Sequence, residues 1–417
     1  MHGEGFRPGV IDMYALKREL KLNNKETSLM RGMAGFRRFV YNFGLEMLKA
    51  SWSFEGIKVS DSVRLNEIKK VFTHNIMTLP EYAWTKNYPS TIYQSAFQDL
   101  GESVARWRKG LAGFPVLATK KKGDKFTLYK TAGTYLKKGE PALLFSNRVV
   151  IEPGRKINLP GHGEVRSKEK VDFYYSSQTF TITRTADKWF VSSNIDAERV
   201  PPIIHKVEKV GIDLGVKTFA TLSDGSTITA PSSLKKAKTK LSKEQWRNRN
   251  KQFGNKNKGV RASLNAKKFF NSVARKHAHI ASIRRDFLQK TTTEISKNYY
   301  KIRVEDLNVS GMVANHKLAE AVSSLGLYEF RRMLDYKQSH YGTKLEVVDR
   351  WYPSSKTCSK CGHVQDMKLS DRVFNCGACN FSIDRDLNAA INLEKAENHL
   401  AKPKEKKSIK KFRKKKE

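Results

Sequence analysis

The chain of 417 residues has only four cysteines, all within one stretch of twenty-two residues. A disulfide-stapled secreted scaffold is thereby excluded, because a chain of this length buries a core without staples and cysteines so clustered suit a metal better. No apolar run approaches the roughly 20 residues of a membrane span. Met1 to Val10 lacks the hydrophobic region of a secretory signal, so a reducing, cytoplasmic setting is expected. Acidic residues are the third shortage: 41 Asp plus Glu stand against 79 Lys plus Arg, a formal charge of +38. Such a field concentrates polyanions, and nucleic acid is the first partner it implies, although ribosomal and membrane-surface proteins share high charge. In the last sixteen residues, Lys402 to Glu417, apolar side chains almost vanish while ten Lys or Arg face two Glu. A disordered basic tail over 401–417 is expected there.

The cysteines form two short pairs, Cys358-x-x-Cys361 and Cys376-x-x-Cys379, with fourteen residues between them. Each pair presents two soft ligands, and the intervening segment lets them close one tetrahedron, which reads as a tetrathiolate zinc site. Val347 to Thr357 runs into it as a strand and Asp384 to Ala390 runs out as a helix start.

Periodicity divides the rest. Tyr14, Leu16, Leu20 and Leu22 alternate with charged residues, a strand pattern. Leu29, Met33, Phe36, Val40, Phe43 and Met47 then follow helical spacing, with Arg31, Arg37 and Arg38 on other faces. A second helix is expected from Ser90 as N-cap, with Tyr93, Phe97, Leu100, Val104 and Trp107 inward. Short strands at about 125–129, 148–151, 179–183 and 189–192 suggest a small β-barrel over 1–25 and 116–200, interrupted by helices at 26–115. Pro201-Pro202 marks a boundary. Beyond it come a buried strand, Val210 to Asp213, a second at 218–222, and a turn at Asp224-Gly225. Residues 234–260 are basic with few apolar anchors. They lead into a long helix whose inward stripe is Phe269, Val273, Ile280, Ile283 and Phe287. Its other face offers Lys267, Lys268, Arg275, Lys276, Arg284 and Arg285, so one-sided that it is expected, with Arg37 and Arg38, to track phosphates.

Asp213 ends one apolar strand, and Glu305 ends another at 301–305. Strand ends of this kind are where α/β sheets place active sites. Asp386 opens the helix 387–397. If the three converge, they suit a pair of Mg²⁺ ions that activate water and stabilise the leaving 3′ oxygen of a phosphodiester. Asp306 and Asp384 compete with them: Asp306 should face away from Glu305 because strand side chains alternate, whereas Asp384 can cap the helix, and the choice between Asp384 and Asp386 stays open on these grounds.

Gly211 to Lys217, Val304 to Val309, Asp349 to Cys358 and Asp384 to Ala390 together resemble the signature segments of the TnpB family, RNA-guided nucleases encoded by insertion-sequence transposons and related to compact type V CRISPR effectors. The resemblance is dense over 207–394. It implies a multidomain α+β protein with an RNase H-like RuvC nuclease domain, over 201–350 and 384–400, into which a zinc ribbon at 351–383 that binds target nucleic acid is inserted. It also implies a wedge-like barrel and helical recognition domain in the first 200 residues, and carries the catalytic, magnesium-binding roles onto Asp213, Glu305 and Asp386. A guide RNA derived from the transposon end, a double-stranded DNA target and a short target-adjacent motif complete the expectation. The alternatives are an RNA-guided repressor that does not cut, which requires loss of an acid, and a guide-independent nuclease or transposase, which has little use for the first 200 residues.

Overall fold

The computed structural model describes residues 12–53, 59–131, 133–135, 143–145, 147–197, 204–254, 259–368 and 371–401. The expected boundary at Pro201-Pro202 and the tail from 402 onward lie outside them. The chain divides into two compact units, one within residues 1–198 and one within 199–404. Among the described residues no helix is long and apolar enough to cross a membrane.

In the first unit, β1 (Asp12–Glu19) is followed by α1 (Asn24–Trp52), α2 (Asp61–His74) and α3 (Ser90–Arg108) before β2 (Lys125–Tyr129). Short strands follow: β3 (Gly133–Tyr135), β4 (Leu143–Phe145), β5 (Val149–Ile151), β6 (Gly154–Leu159), β7 (Gly163–Val171) and β8 (Tyr175–Ser177). Longer ones, β9 (Thr179–Thr185) and β10 (Lys188–Ala197), close the unit. The main sheet is antiparallel in the order β1-β10-β9-β2, so the three helices interrupt a sheet between its outer strands. Where a single small barrel was expected, the described residues form this four-stranded sheet and three separate two-stranded ribbons, β3-β4, β5-β8 and β6-β7.

Helix α1 begins at a reciprocal cap: Glu26 N–H donates to Asn23 Oδ1 at 2.8 Å, and Asn23 N–H donates to Glu26 Oε2 at 2.7 Å. Met33, Phe36 and Val40 are buried as expected, but Leu29 and Met47 are exposed while Met30, Ala34, Leu45 and Leu48 are covered. The helix packs against both α2 and α3, so its buried sector is wider than the single seam that the sequence shows and lies to one side of it. Ser90 is the first residue of α3 and Pro89 occupies the cap, correcting the expected Ser90 cap.

The second unit carries a five-stranded mixed sheet of β11 (Val207–Leu214), β12 (Ala220–Leu222), β13 (Thr227–Ile228), β14 (Tyr299–Glu305) and β15 (Lys344–Val348). Its order is β13-β12-β11-β14-β15: the first three run antiparallel, and β11, β14 and β15 run parallel, a mixed sheet as expected. Helices α4 (Ser232–Arg247) and α5 (Leu264–Asn298) precede β14. Between β14 and β15 come α6 (Val309–Ala314), α7 (His316–Leu325) and α8 (Leu327–Tyr341). After β15 the ribbon strands β16 (Val373–Asn375) and β17 (Ser382–Asp384) lead into α9 (Arg385–Lys395). The core joins Val210, Ile212, Ile302 and Val304 of the sheet to Leu288 and Ile295 of α5 and Phe330 and Leu334 of α8.

One expectation changes here, that of the inward stripe of α5. The basic stretch from 234 is helical, held by only two buried residues, Leu234 and Leu241, against α5. Its Lys, Gln and Glu are good helix formers that leave no strong apolar stripe. In α5, Phe269 is buried, but Val273, Ile280, Ile283 and Phe287 are half-buried, and the covered residues gather at the far end, from Leu288 to Ser296.

Candidate active site and metal centre

The cysteine knuckles are two similar turns. Gly362 N–H donates to Cys358 O at 2.9 Å, and Asn380 N–H donates to Cys376 O at 3.0 Å. The residue four beyond the first cysteine of each pair has a positive φ, +80° at Gly362 and +55° at Asn380, which turns the chain back toward its partner. Cys358 Sγ lies 3.7 Å from Cys379 Sγ, and Cys361 Sγ lies 3.6 Å from Cys376 Sγ. A disulfide needs about 2.05 Å. Four sulfurs at about 2.3 Å from one Zn²⁺ stand about 3.8 Å apart, so the cluster fits that ion. All four sulfurs lie within 4.8 Å of one another, and no other group of three or more His, Cys, Asp or Glu ligand atoms among the described residues meets that limit. Four thiolates leave no position for water, which makes the fitted centre structural.

This centre is tied to α9 by buried amides. Asn388 donates to Thr357 O at 2.7 Å and accepts from Ser359 N–H at 2.9 Å. Asn392 donates to Ser354 O at 2.8 Å and Thr357 O at 2.6 Å. Lys395 Nζ donates to Ser359 O at 2.6 Å. Both asparagines are buried, and no pattern of charge or hydropathy singled them out.

The helix so held carries Asp386 in its first turn. It packs across β11 at Gly211, where a Cβ would overlap Ala390 O and Glu394 N; only glycine lets the two backbones meet. Ile212 pairs with Val304 in the parallel register of β11 and β14, so the next residues, Asp213 and Glu305, stand side by side where the strands end. Burial, then the charges of Asp386 and Glu305, pushes the Asp213 carboxyl up to about 7, against the nearby Arg385. Glu305 is also raised, by burial and by Asp306, with Arg350 opposing. The three acids thus share the C-terminal edge of the sheet.

The competing acids have other partners. Asp384 is the N-cap of α9: its Oδ1 accepts from Asp386 N–H at 2.9 Å and Leu387 N–H at 3.0 Å. Asp386 Oδ1 lies 3.3 Å from Arg385 Nη2. Asp306 is buried and holds Arg331 at 2.6 Å and Arg350 at 2.5 Å. It lies beyond the end of β14 as the centre of two ion pairs.

The expected phosphate-tracking residues divide similarly. Arg37 pairs with Asp99 at 2.6 Å, Arg38 with Asp124, and Lys276 with Glu244. Arg284 donates to Ser323 O at 2.9 Å. Lys267, Lys268, Arg275 and Arg285 are exposed on α5. Sequence reasoning passed over Trp246, 66 % exposed with Arg249 over its ring at 4.6 Å; an aromatic among Lys and Arg in a segment with few apolar anchors was the available signal.

The chain is similar to known proteins in sequence and in fold. Residues 192–316 match the family model described as "Probable transposase" (OrfB of IS605), and residues 328–393 match the Cas12f1-like TNB domain. A Streptomyces pristinaespiralis protein described as a candidate RNA-guided DNA endonuclease is 32% identical over 86% of this chain and 83% of its own length. The Escherichia coli K12 protein InsQ, described likewise, is 28% identical over 91% of each chain. Among solved structures, Cas12f1 in its complex with guide RNA and target DNA aligns with a TM-score of 0.56 at 17% identity, over 89% of this chain and 83% of that one, a likeness of fold.

Proposed function

The chain belongs to the TnpB family of transposon-encoded RNA-guided DNA endonucleases, and from that membership we propose that it holds a guide RNA derived from the transposon end, opens double-stranded DNA beside a short target-adjacent motif, and cuts it in a single RuvC site. The observation that carries the reading is the placement of Asp213 and Glu305 on adjacent parallel strands, with Asp386 on the helix packed against the same strand. Three carboxylates held near one another against their own repulsion suit divalent cations. Mg²⁺-type ions bound there would supply the activated water and neutralise the leaving oxygen.

The remaining work falls to the chain. Asp213 and Glu305 are fixed by strand pairing, Asp386 by the cap at Asp384 and the amide ties to the zinc knuckle, so the acids are set before any substrate arrives. Base pairing chooses the sequence, while Lys and Arg, including Lys267, Lys268, Arg275 and Arg285, hold an A-form heteroduplex by its backbone. In this reading 1–25 and 116–200 form the wedge, 26–115 the recognition helices, and 351–383 the target-binding ribbon.

The test begins with sequencing of the RNA that co-purifies with the protein, followed by cutting of a plasmid matched to it. Asp213→Ala, Glu305→Ala and Asp386→Ala should each keep RNA and target and lose cutting, with double variants scarcely worse than singles because the acids act as one unit. Asp384→Ala should still cut. Near-normal cutting by Asp213→Ala, or a dead Asp384→Ala beside an active Asp386→Ala, would overturn the assignment.

A further inference from the structure

The segment from β15 into the first zinc knuckle holds a large side chain in water. Trp351 is 84 % exposed, which forgoes the burial an aromatic ring ordinarily gains. Its backbone is nonetheless anchored: Trp351 N–H donates to Asp349 Oδ1 at 2.9 Å, Tyr352 N–H to Asp349 O at 3.1 Å, and Ser354 N–H to Tyr352 O at 2.8 Å. A rigid turn therefore presents a bare indole.

That indole lines a cleft of about 1160 Å³. Tyr352 packs on His399 at 4.7 Å on one side, and the chain after α9 returns beside β15 on another, through Asp349 N–H to His399 O and Ala401 N–H to Val347 O, each at 2.8 Å. The same cleft is lined by Asp306, the residue after Glu305, and by Arg350, whose Nη2 pairs with Asp306 and whose side chain is 31% exposed. A guanidinium has five N–H donors in a fixed fork, and that fork matches a phosphate.

An exposed flat ring and a part-exposed guanidinium in one cleft, the guanidinium paired to the residue after the candidate acid Glu305, match the repeat of a nucleic-acid strand: base, then phosphate. A duplex cannot offer the face of an internal base to a side chain, whereas an unpaired strand can. We propose that Trp351 and Arg350 form a landing site for unpaired target DNA, with Trp351 stacked on a base and Arg350 on a phosphate, so that the strand is led to Asp213, Glu305 and Asp386. The proposal rests on the nuclease reading and adds the residues that present the strand. Trp351 is then a positioning residue, with no part in the chemistry itself.

The experiment uses the protein purified with its own RNA and a plasmid matched to that RNA. Trp351→Ala should cut about 5- to 150-fold more slowly, the span implied by loss of one base–aromatic stack. Target binding and zinc content should not change, and Trp351→Phe should recover most of the rate. In the parent protein, an abasic nucleotide moved along each strand should slow cutting by a similar factor at one position near the cut, where Trp351→Ala adds nothing further. Parent-like cutting by Trp351→Ala, or indifference to abasic sites at every position, would overturn the landing site. A fall in target binding that accounts for the whole loss of rate would do the same, since Trp351 would then dock a duplex or a protein. Asp213→Ala, assayed beside it, separates the two readings: cutting by that variant removes the nuclease assignment, whereas its silence beside a parent-like Trp351→Ala removes only the landing site.

Discussion

Gly211 and Lys337 show how single residues set the second unit. At Gly211 the absent side chain is what lets α9 lie on β11, so Gly211→Ala should lower stability by about 1–3 kcal/mol, the usual range for overpacking, and reduce cutting further by displacing Asp386. A thermal melt beside the plasmid assay reads both, and a variant with parent-like values in each would remove the contact from the argument. Lys337 is buried between α5 and α8, where its ammonium meets Gln289 O at 2.9 Å and the hydroxyls of Thr292 and Thr293 at 2.7 Å each. Burial lowers its pKa to about 8. Below that value the folded protein carries a buried charge that the unfolded chain keeps in water, so stability rises as pH climbs from about 8 toward the ordinary 10.5. Lys337→Met should accordingly raise the melting temperature at pH 7, by up to roughly 3 kcal/mol in stability, and the gap from the parent should close by about pH 10.5. A gap that is constant with pH would show that packing, and not charge, sets the difference.

Among the elements, the four-cysteine knuckles and α9 act together. Asn388 and Asn392 accept or donate four hydrogen bonds to the knuckle segment, so the metal centre is linked to the helix that carries Asp386. Cys361→Ser or Cys376→Ser should bring zinc toward zero and loosen the carboxy-terminal part, with cutting lost; full zinc occupancy in either variant would refute a tetrathiolate site. Asn388→Ala should keep its zinc yet lose about 1–3 kcal/mol and part of the cutting rate, because Thr357 O and Ser359 N–H lose their buried partner. The cysteine spacing announced the ribbon, since ligand chemistry is local. Its tie to α9 did not show, because Asn is common on surfaces and only the fold buries these two.

For the whole molecule, a charge of +38 makes backbone affinity strongly dependent on salt. Target binding should survive excess chelator and cutting should not; separately, affinity should drop roughly a thousandfold or more between 50 and 200 mM salt if about six or more phosphates are contacted. Both are read by gel shift and plasmid cutting in parallel, and undiminished cutting in chelator would contradict the magnesium reading. At this scale the sequence by itself determined the excess of positive charge, the cysteine site, the outline of strands 207–214 and 299–305, the long helix, and the family, because charge, thiol spacing, apolar runs and short ordered motifs are properties of the chain before it folds. Only the tertiary structure decided that Asp384 caps α9 while Asp386 stays available, that Asp306 is buried between two arginines, that Arg37, Arg38 and Lys276 are drawn into ion pairs, and that α4 is a helix. The ion pairs depend on which side chain from a distant element arrives within reach, and sequence position carries no measure of that distance; the Asp384 cap and α4 are local, but competing local readings of the same residues are settled only when the chain is folded.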